Sequence, residues 1–395
     1  MNATLREGID WVGYVDWTIR DFHGYTAERG TTYNAYLVRG KKTALIDTVK
    51  APYGQHLLQN ISALAPLQSV DYVVCNHAEP DHAGALPEIM AKMPNATLVC
   101  DQKCKDALSR HFDISDWKFE VINTGDTVSL GDRILHFIET PMVHWPESMF
   151  TYVPEEKLLF SMDAFGQHYA SSQRFEDEFP LETVIQEAKS YYANILMPYG
   201  KQVAKVLQQM DAFNIEMIAP SHGLIWRSHV QEMFKAYRGW AAFRPKPKVL
   251  IIYDTMWGST GEMARAILEG AALPGVEVQL IHIRSSNLTR IATELLDAAT
   301  IAFGSSTLNA GMMPMAAAVL TYLKGLRPAG KAGLAFGSYG WGRGGPEAID
   351  EYMKTMKWEI LRNPLKAQYR PTAEILDECR EAGKLLAVKA KDLAE

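Results

Sequence analysis

Over the N-terminal part of the chain, apolar residues come in short runs broken by glycine, proline and charged residues. This is the pattern of strands and short helices. It predicts strands over residues 33–38 and 43–48, paired around Gly40-Lys41, and further strands over 72–75, 97–100, 134–139, 149–153 and 158–161. Helical spacing lies between them, over 84–93, 181–195 and 202–213. Such a mixture predicts layered β-structure with helices outside. The rhythm changes at Phe243-Arg244-Pro245-Lys246-Pro247-Lys248, where two prolines and three basic residues predict a stiff, solvated linker. Beyond it strands (249–253, 276–283, 300–303, 332–336) alternate with helices (262–270, 315–326, 347–356). That alternation predicts a doubly wound parallel sheet. The expected domains are therefore residues 1–246, mixed α+β, and 247–395, α/β.

Length and composition add bounds. A chain of 395 residues with 47% hydrophobic and 22% charged residues can bury a core in each of two domains. A formal net charge of −6 argues against a nucleic-acid binder that relies on a basic surface. No run is long and apolar enough for a membrane span, and the first ten residues lack the apolar core of a secretory signal. Cys75, Cys100, Cys104 and Cys379 form no C-x-x-C pair, so neither a disulfide framework nor an internal rubredoxin-type site is expected. The expected compartment is the cytoplasm.

The chemistry concentrates in His77-Ala78-Glu79-Pro80-Asp81-His82, which follows a buried-strand pattern and precedes a helix. Four metal-binding side chains in six positions at a strand end are well placed for a ligand site. His144 in Pro141-Met-Val-His-Trp-Pro146, Asp163 in Ser161-Met-Asp-Ala-Phe-Gly166 and His222 in Ala219-Pro-Ser-His-Gly223 likewise follow strands. A single histidine at a strand end is usually structural; four histidines and three carboxylates in this arrangement are too many for one tetrahedral ion and suit two. Glu79, a hard carboxylate where zinc would favour nitrogen, shifts the expected metal towards iron. Two ferrous ions would be balanced by Glu79, Asp81, Asp163 and one hydroxide.

In the second domain, Thr255-Met256-Trp257-Gly258-Ser259-Thr260 forms a small, hydroxyl-rich turn into a helix, a phosphate site without Walker-A lysine spacing. Ser306-Thr307-Leu308-Asn309 and Ser338-Tyr339-Gly340-Trp341-Gly342-Arg343 follow two further parallel strands. Three such loops at carboxyl ends of strands predict a mononucleotide site, and glycine-flanked Trp341 is poor core material.

The pattern H-x-E-x-D-H, then H-W-P-[DE]-S, D-A-F-G-Q-H and S-H-G, followed by these loops, resembles the flavodiiron proteins. The resemblance runs from Trp11 to about Leu386 and implies a metallo-β-lactamase-like αββα sandwich followed by a flavodoxin-like domain carrying FMN. It implies a non-haem diiron site in which His77, Glu79 and His144 hold one iron, Asp81, His82 and His222 the other, and Asp163 bridges. His23 and Tyr191 match family positions near the irons. Family members often carry proline where Ser306 stands. The implied activity is reduction of O2 to water or of NO to N2O, with electrons passing through FMN. The implied donor is an external protein such as rubredoxin, since no donor module follows the flavodoxin part. The implied assembly is a head-to-tail homodimer or a dimer of dimers. Two other readings fit parts of the pattern. One is a zinc hydrolase fused to a flavodoxin; the other is a flavodoxin-like carrier with a structural or docking first domain. Glu79 and the full ligand set weigh against them.

Overall fold

The computed structural model describes residues 3–395. The chain packs as two compact units. The first comprises Met1–Tyr192 and Lys201–Arg238, and the second Ala193–Gly200 and Gly239–Glu395.

The first unit is built on two sheets. Seven strands form one: β1 (Ala3–Arg6), β2 (Ile9–Trp11), β3 (Tyr36–Arg39), β4 (Thr43–Ile46), β5 (Val70–Val74), β6 (Thr97–Cys100) and β7 (Lys118–Val121), side by side in chain order. The pairings are antiparallel from β1 to β4 and parallel from β4 to β7. Five strands form the other, also in chain order: β8 (Thr127–Ser129), β9 (Ile134–Glu139), β10 (Met149–Val153), β11 (Leu158–Met162) and β12 (Met217–Pro220). Side chains alternate across each strand, so Tyr36, Val38, Ala44, Ile46 and Val74 join Phe137, Met149 and Phe160 in a core between the sheets. Leu37, Leu45 and Val73 face the opposite way, into a core with Leu57, Ile61, Leu86 and Ile89 from the covering helices. This is the expected αββα arrangement.

In the second unit β13 (Lys246–Asp254), β14 (Glu277–His282), β15 (Ala298–Ser305), β16 (Ala332–Tyr339), β17 (Glu359–Ile360) and β18 (Leu365–Gln368) pair in parallel. Their order is β14-β13-β15-β16, with β17 and β18 both against β16. Strand order therefore reverses at β13, the switch point where doubly wound sheets bind ligands. Helices Ser259–Ala271 and Ala373–Ala394 touch backbone to backbone: a Cβ on Gly270 would lie 1.9 Å from the Arg380 carbonyl oxygen, and one on Gly383 2.1 Å from that of Ile267.

Three differences from the sequence reading have physical causes. The solvated linker is not what residues 243–248 form. Strand β13 already begins at Lys246, and Lys248 is buried, with its ammonium 2.5 Å from Glu294 and 3.0 Å from Glu277. Local composition read the lysine as solvated, but distant carboxylates neutralise it. The helix expected over 181–195 ends at Tyr191 and widens into π turns over Tyr192–Leu196 ahead of Pro198. The long helix Ala373–Ala394 was not foreseen, because its buried stripe is mostly small residues: Cys379, Ala382, Gly383, Ala387 and Ala390.

Candidate metal centre and mononucleotide cradle

The expected metal-type residues of the first unit meet where strands end. Strand β5 runs through Cys75-Asn76 to His77, and Asn76 is locked by Asp47, which accepts from its backbone and side-chain amides at 2.7 and 2.9 Å. Pro80, at the first position of the one-turn helix Pro80–Ala83, starts the turn that carries Asp81 and His82. Thr48 donates its hydroxyl to the His82 carbonyl. Register shifts at the end of β11, Met162 takes a left-handed φ of 51°, and Asp163 follows. Ser221 donates to the Met162 carbonyl at 2.7 Å, bringing His222 alongside.

Two sets of side chains result. His77, Glu79, His144 and Asp163 offer one ligand atom each within 4.8 Å of one another, and so do Asp81, His82 and His222. Asp163 faces both. Its Oδ2 lies 2.9 Å from His144 Nε2 and 3.5 Å from His77 Nε2, while its Oδ1 lies 3.0 Å from His82 Nε2 and 3.4 Å from His222 Nε2. Glu79 Oε2 stands 3.2 Å from both His77 and His144, and Asp81 Oδ2 3.1 Å from His222.

The imidazoles are turned by their other nitrogens. His77 Nδ1 lies 2.8 Å from Glu147 Oε1, and His222 Nδ1 donates to the Thr32 carbonyl at 2.6 Å. Each contact leaves Nε2 free for the cluster, the arrangement that fixes the tautomer of a metal-binding histidine.

Electrostatics calls for a cation here. Burial opposes protonation of each histidine, yet the carboxylates pull His77 and His82 up to about 9 and His144 up to about 10. Against the same burial, the histidines hold Glu79 and Asp163 far below the usual carboxylate range. Asp81 Oδ1 and His82 Nδ1 are buried without a hydrogen-bond partner. Buried groups of this kind are costly unless satisfied. Nitrogen and oxygen donors converging on two points fit two metal ions well.

His23 lies at the rim, its side chain 52% exposed and its Nε2 3.5 Å from Glu79 Oε1. Tyr191 is buried, hydrogen-bonds to Asp163, and has its acidity suppressed by burial first and by that carboxylate second. Both residues therefore lie beside the cluster. Sequence reasoning singled out neither Glu147 nor Thr32. Glu147 was legible as the acidic residue three positions after His144; Thr32 contributes only a carbonyl, which has no sequence signature.

In the second unit the three expected loops converge. Gly258 takes a φ of 92° to start helix Ser259–Ala271, which no side chain caps. Its first amides are thereby left to an anion. Thr260 Oγ1 lies 2.9 Å from Ser338 Oγ and 3.0 Å from Ser306 Oγ, and Ser306 accepts from the Met256 amide at 3.3 Å. Thr255 accepts from Gly258 at 3.1 Å, and Thr307 from Gly345 at 3.1 Å. Leu308 and Asn309 continue as a short hairpin with Gly311–Met312. The Arg343 guanidinium sits 5.1 Å from the centre of the Tyr339 ring. Trp257 and Trp341 are 89% and 92% exposed, which suits walls of a site and not core packing. Gly340 accepts from the Gln368 side chain, and Gly342 has open space where a Cβ would stand. An uncapped helix start, hydroxyls and free aromatic faces fit a phosphorylated, planar mononucleotide such as FMN.

Fold and site together define a two-unit α/β redox protein, a lactamase-like sandwich joined to a mononucleotide-binding sheet. Residues 31–223 match the ODP family beta lactamase profile, and residues 251–383 match flavodoxin. A nitric oxide reductase of Moorella thermoacetica is 45% identical over 99% of this chain and 99% of its own length. Two solved structures each superpose with a TM-score of 0.97 and 37% identity over 100% of this chain. They are a rubredoxin oxygen:oxidoreductase from the anaerobe Desulfovibrio gigas, 99% covered, and a flavodiiron protein from Giardia intestinalis, 98% covered. The chain belongs to the flavodiiron protein family.

Proposed function

We propose that this protein reduces O2 to water and NO to N2O at a non-haem diiron centre, using electrons delivered through FMN from a rubredoxin-type donor. The observation that carries the reading is Asp163, with one oxygen turned to each of two ligand sets. His77, Glu79 and His144 would hold one iron, Asp81, His82 and His222 the other, and Asp163 would bridge. Thr255–Thr260, Ser306–Asn309 and Ser338–Arg343 would hold FMN. The names of the relatives, one a nitric oxide reductase and one a rubredoxin oxygen:oxidoreductase, support both substrates and the donor class.

When bound, iron and flavin supply the electron transfer itself, and the protein positions them. Glu147 and the Thr32 carbonyl keep His77 and His222 in the ligating tautomer. Both reductions consume protons. His23, exposed and beside Glu79, would bring them from solvent; Tyr191 holds a phenolic proton beside Asp163. The exposed indoles of Trp257 and Trp341 support a head-to-tail homodimer, or a dimer of dimers, that covers them. The four cysteines are free and buried, which supports a reducing cytoplasm. No helix among the described residues is long and apolar enough to cross a membrane.

Anaerobic reconstitution tests the proposal. The expected protein holds two irons and one FMN per chain and consumes O2 and NO with reduced rubredoxin. A zinc-loaded protein with hydrolase activity, and iron-loaded protein inert to both gases, would overturn it.

A further inference from the structure

From His222 outward, the first unit contains a ladder of aromatic rings. The Tyr33 ring lies 6.0 Å from that of His222; Tyr53 stacks on Tyr33 at 5.4 Å; Tyr14 stacks on Tyr53 at 3.9 Å with planes 13° apart; and His56 lies 5.1 Å from Tyr14. Burial falls along the ladder: Tyr33 is fully buried, Tyr53 and Tyr14 are half-buried, and His56 is exposed. One member differs from ordinary packing. Tyr53 donates its hydroxyl to Asp16 Oδ2 at 2.7 Å. Asp16 is itself buried, and its other oxygen accepts from the Thr18 amide, the Thr18 hydroxyl and the Ile19 amide at 3.0 to 3.1 Å. A phenol hydrogen-bonded to a fixed carboxylate can lose an electron and its proton together, because the proton already has an acceptor. Phenylalanine would fill the same stack, and a cation would not choose this site, since Tyr53 and two amides occupy the carboxylate.

We propose that Tyr33, Tyr53 and Tyr14 form a one-electron path by which oxidising equivalents left at the metal centre escape to the surface, with Asp16 receiving the proton of Tyr53. The inference rests on the diiron reading and concerns turnover when electrons run short. Complete reduction of O2 takes four electrons; a chain holding only two when O2 arrives is left with an oxidant at its centre. The electron leaves Tyr53 and crosses the Tyr33 ring to the centre; the buried Tyr33 hydroxyl has no acceptor and stays protonated. The Tyr53 O–H bond breaks, the proton goes to Asp16, and a neutral tyrosyl radical remains on Tyr53. Tyr53 is oxidised by one electron, which would go to one oxidising equivalent left at the site that His77, His82 and His222 line. A thiolate in solution restores Tyr53 through the exposed end at Tyr14 and His56, becoming a thiyl radical as the proton returns from Asp16.

The test uses iron-loaded, FMN-containing protein reduced by two electrons per chain, mixed with O2 and freeze-quenched for electron paramagnetic resonance. Oxygen uptake is recorded on the same sample. A tyrosyl signal is expected, reduced at least about fivefold by Tyr53→Phe, which removes the phenol that donates to Asp16. Asp16→Asn should lower it comparably. Iron content, FMN content and oxygen uptake under excess donor should stay at the wild-type level in both variants. With donor limiting, Tyr53→Phe should inactivate after fewer turnovers. Normal oxygen uptake with no tyrosyl signal overturns the path while leaving the proposed function intact, and so does a signal unchanged in Tyr53→Phe. Absence of oxygen uptake in the iron-loaded protein overturns the proposed function and the path with it.

Discussion

Glu147 shows how much one residue outside the ligand set can decide. Its carboxylate lies 2.8 Å from His77 Nδ1 and also accepts the Ala78 amide at 3.2 Å, so it orients the ring and the chain beside it. Glu147→Gln keeps the size and removes the charge that raises the basicity of His77. Iron affinity should fall roughly 10- to 100-fold, seen as faster iron loss to a chelator with FMN retained. The histidines themselves make a pH prediction. Without metal, their carboxylate neighbours hold His77 and His82 up at about 9 and His144 at about 10, whereas as iron ligands they would be neutral. Chelating the iron at pH 8 should therefore take up protons, and the uptake should fade above about pH 10. Their raised values also stabilise the metal-free fold fully below the unfolded value of about 6.5, a contribution lost as pH rises through about 9 to 10. Proton uptake in two buffers of different ionisation enthalpy, and the melting temperature of metal-free protein against pH, check these two statements.

Elements explain where such residues stand. The metal-type side chains all lie on turns just past strands β5, β9, β11 and β12, so the two sheets hold the cluster rigid while the turns vary. In the second unit the loop after β15 carries Ser306, whose hydroxyl accepts from the Met256 amide and meets Thr260. Proline, frequent at this place in the family, could make neither contact. Ser306→Ala should weaken FMN binding about 3- to 10-fold, on the scale of one hydrogen bond near ~1 kcal/mol, measured by flavin fluorescence titration. Strand β13 depends on Lys248, whose ammonium is raised above its ordinary value by Asp297 and Glu294 against the opposing effect of burial. Lys248→Ala would leave a cavity between the half-buried Glu294 and the buried Asp297, with Lys246 still beside Asp297. A loss of about 3 to 5 kcal/mol is expected, read in denaturant unfolding of the FMN-containing protein.

At the scale of the whole molecule, each unit carries one half of the chemistry: a metal cluster in the lactamase-like unit and a mononucleotide cradle in the flavodoxin-like unit. If a head-to-tail homodimer sets the flavin of one chain against the irons of another, activity per chain must depend on concentration. Sedimentation and turnover measured on the same dilution series should fall together. Full activity in a sample that sediments as a monomer would exclude that assembly.

Much of this was legible in the chain before folding. Apolar runs ended in His77, Asp163 and His222, and Glu79 distinguished the run from a zinc-type motif. The hydroxyl-rich loops marked a phosphate site, because strand periodicity and strand-end placement are local properties. Orientation was not local. His77 is turned by Glu147, 70 residues away, and His222 by Thr32, 190 residues away. The same holds for Lys248, paired with Glu294 at a separation of 46 residues, and for the stacked rings of Tyr14, Tyr33 and Tyr53. The sequence by itself determined which donor types exist and that they follow strands. Only the tertiary structure decided which atoms face one another, because a side chain's direction is set by packing and hydrogen bonds to partners that the chain brings together when it folds.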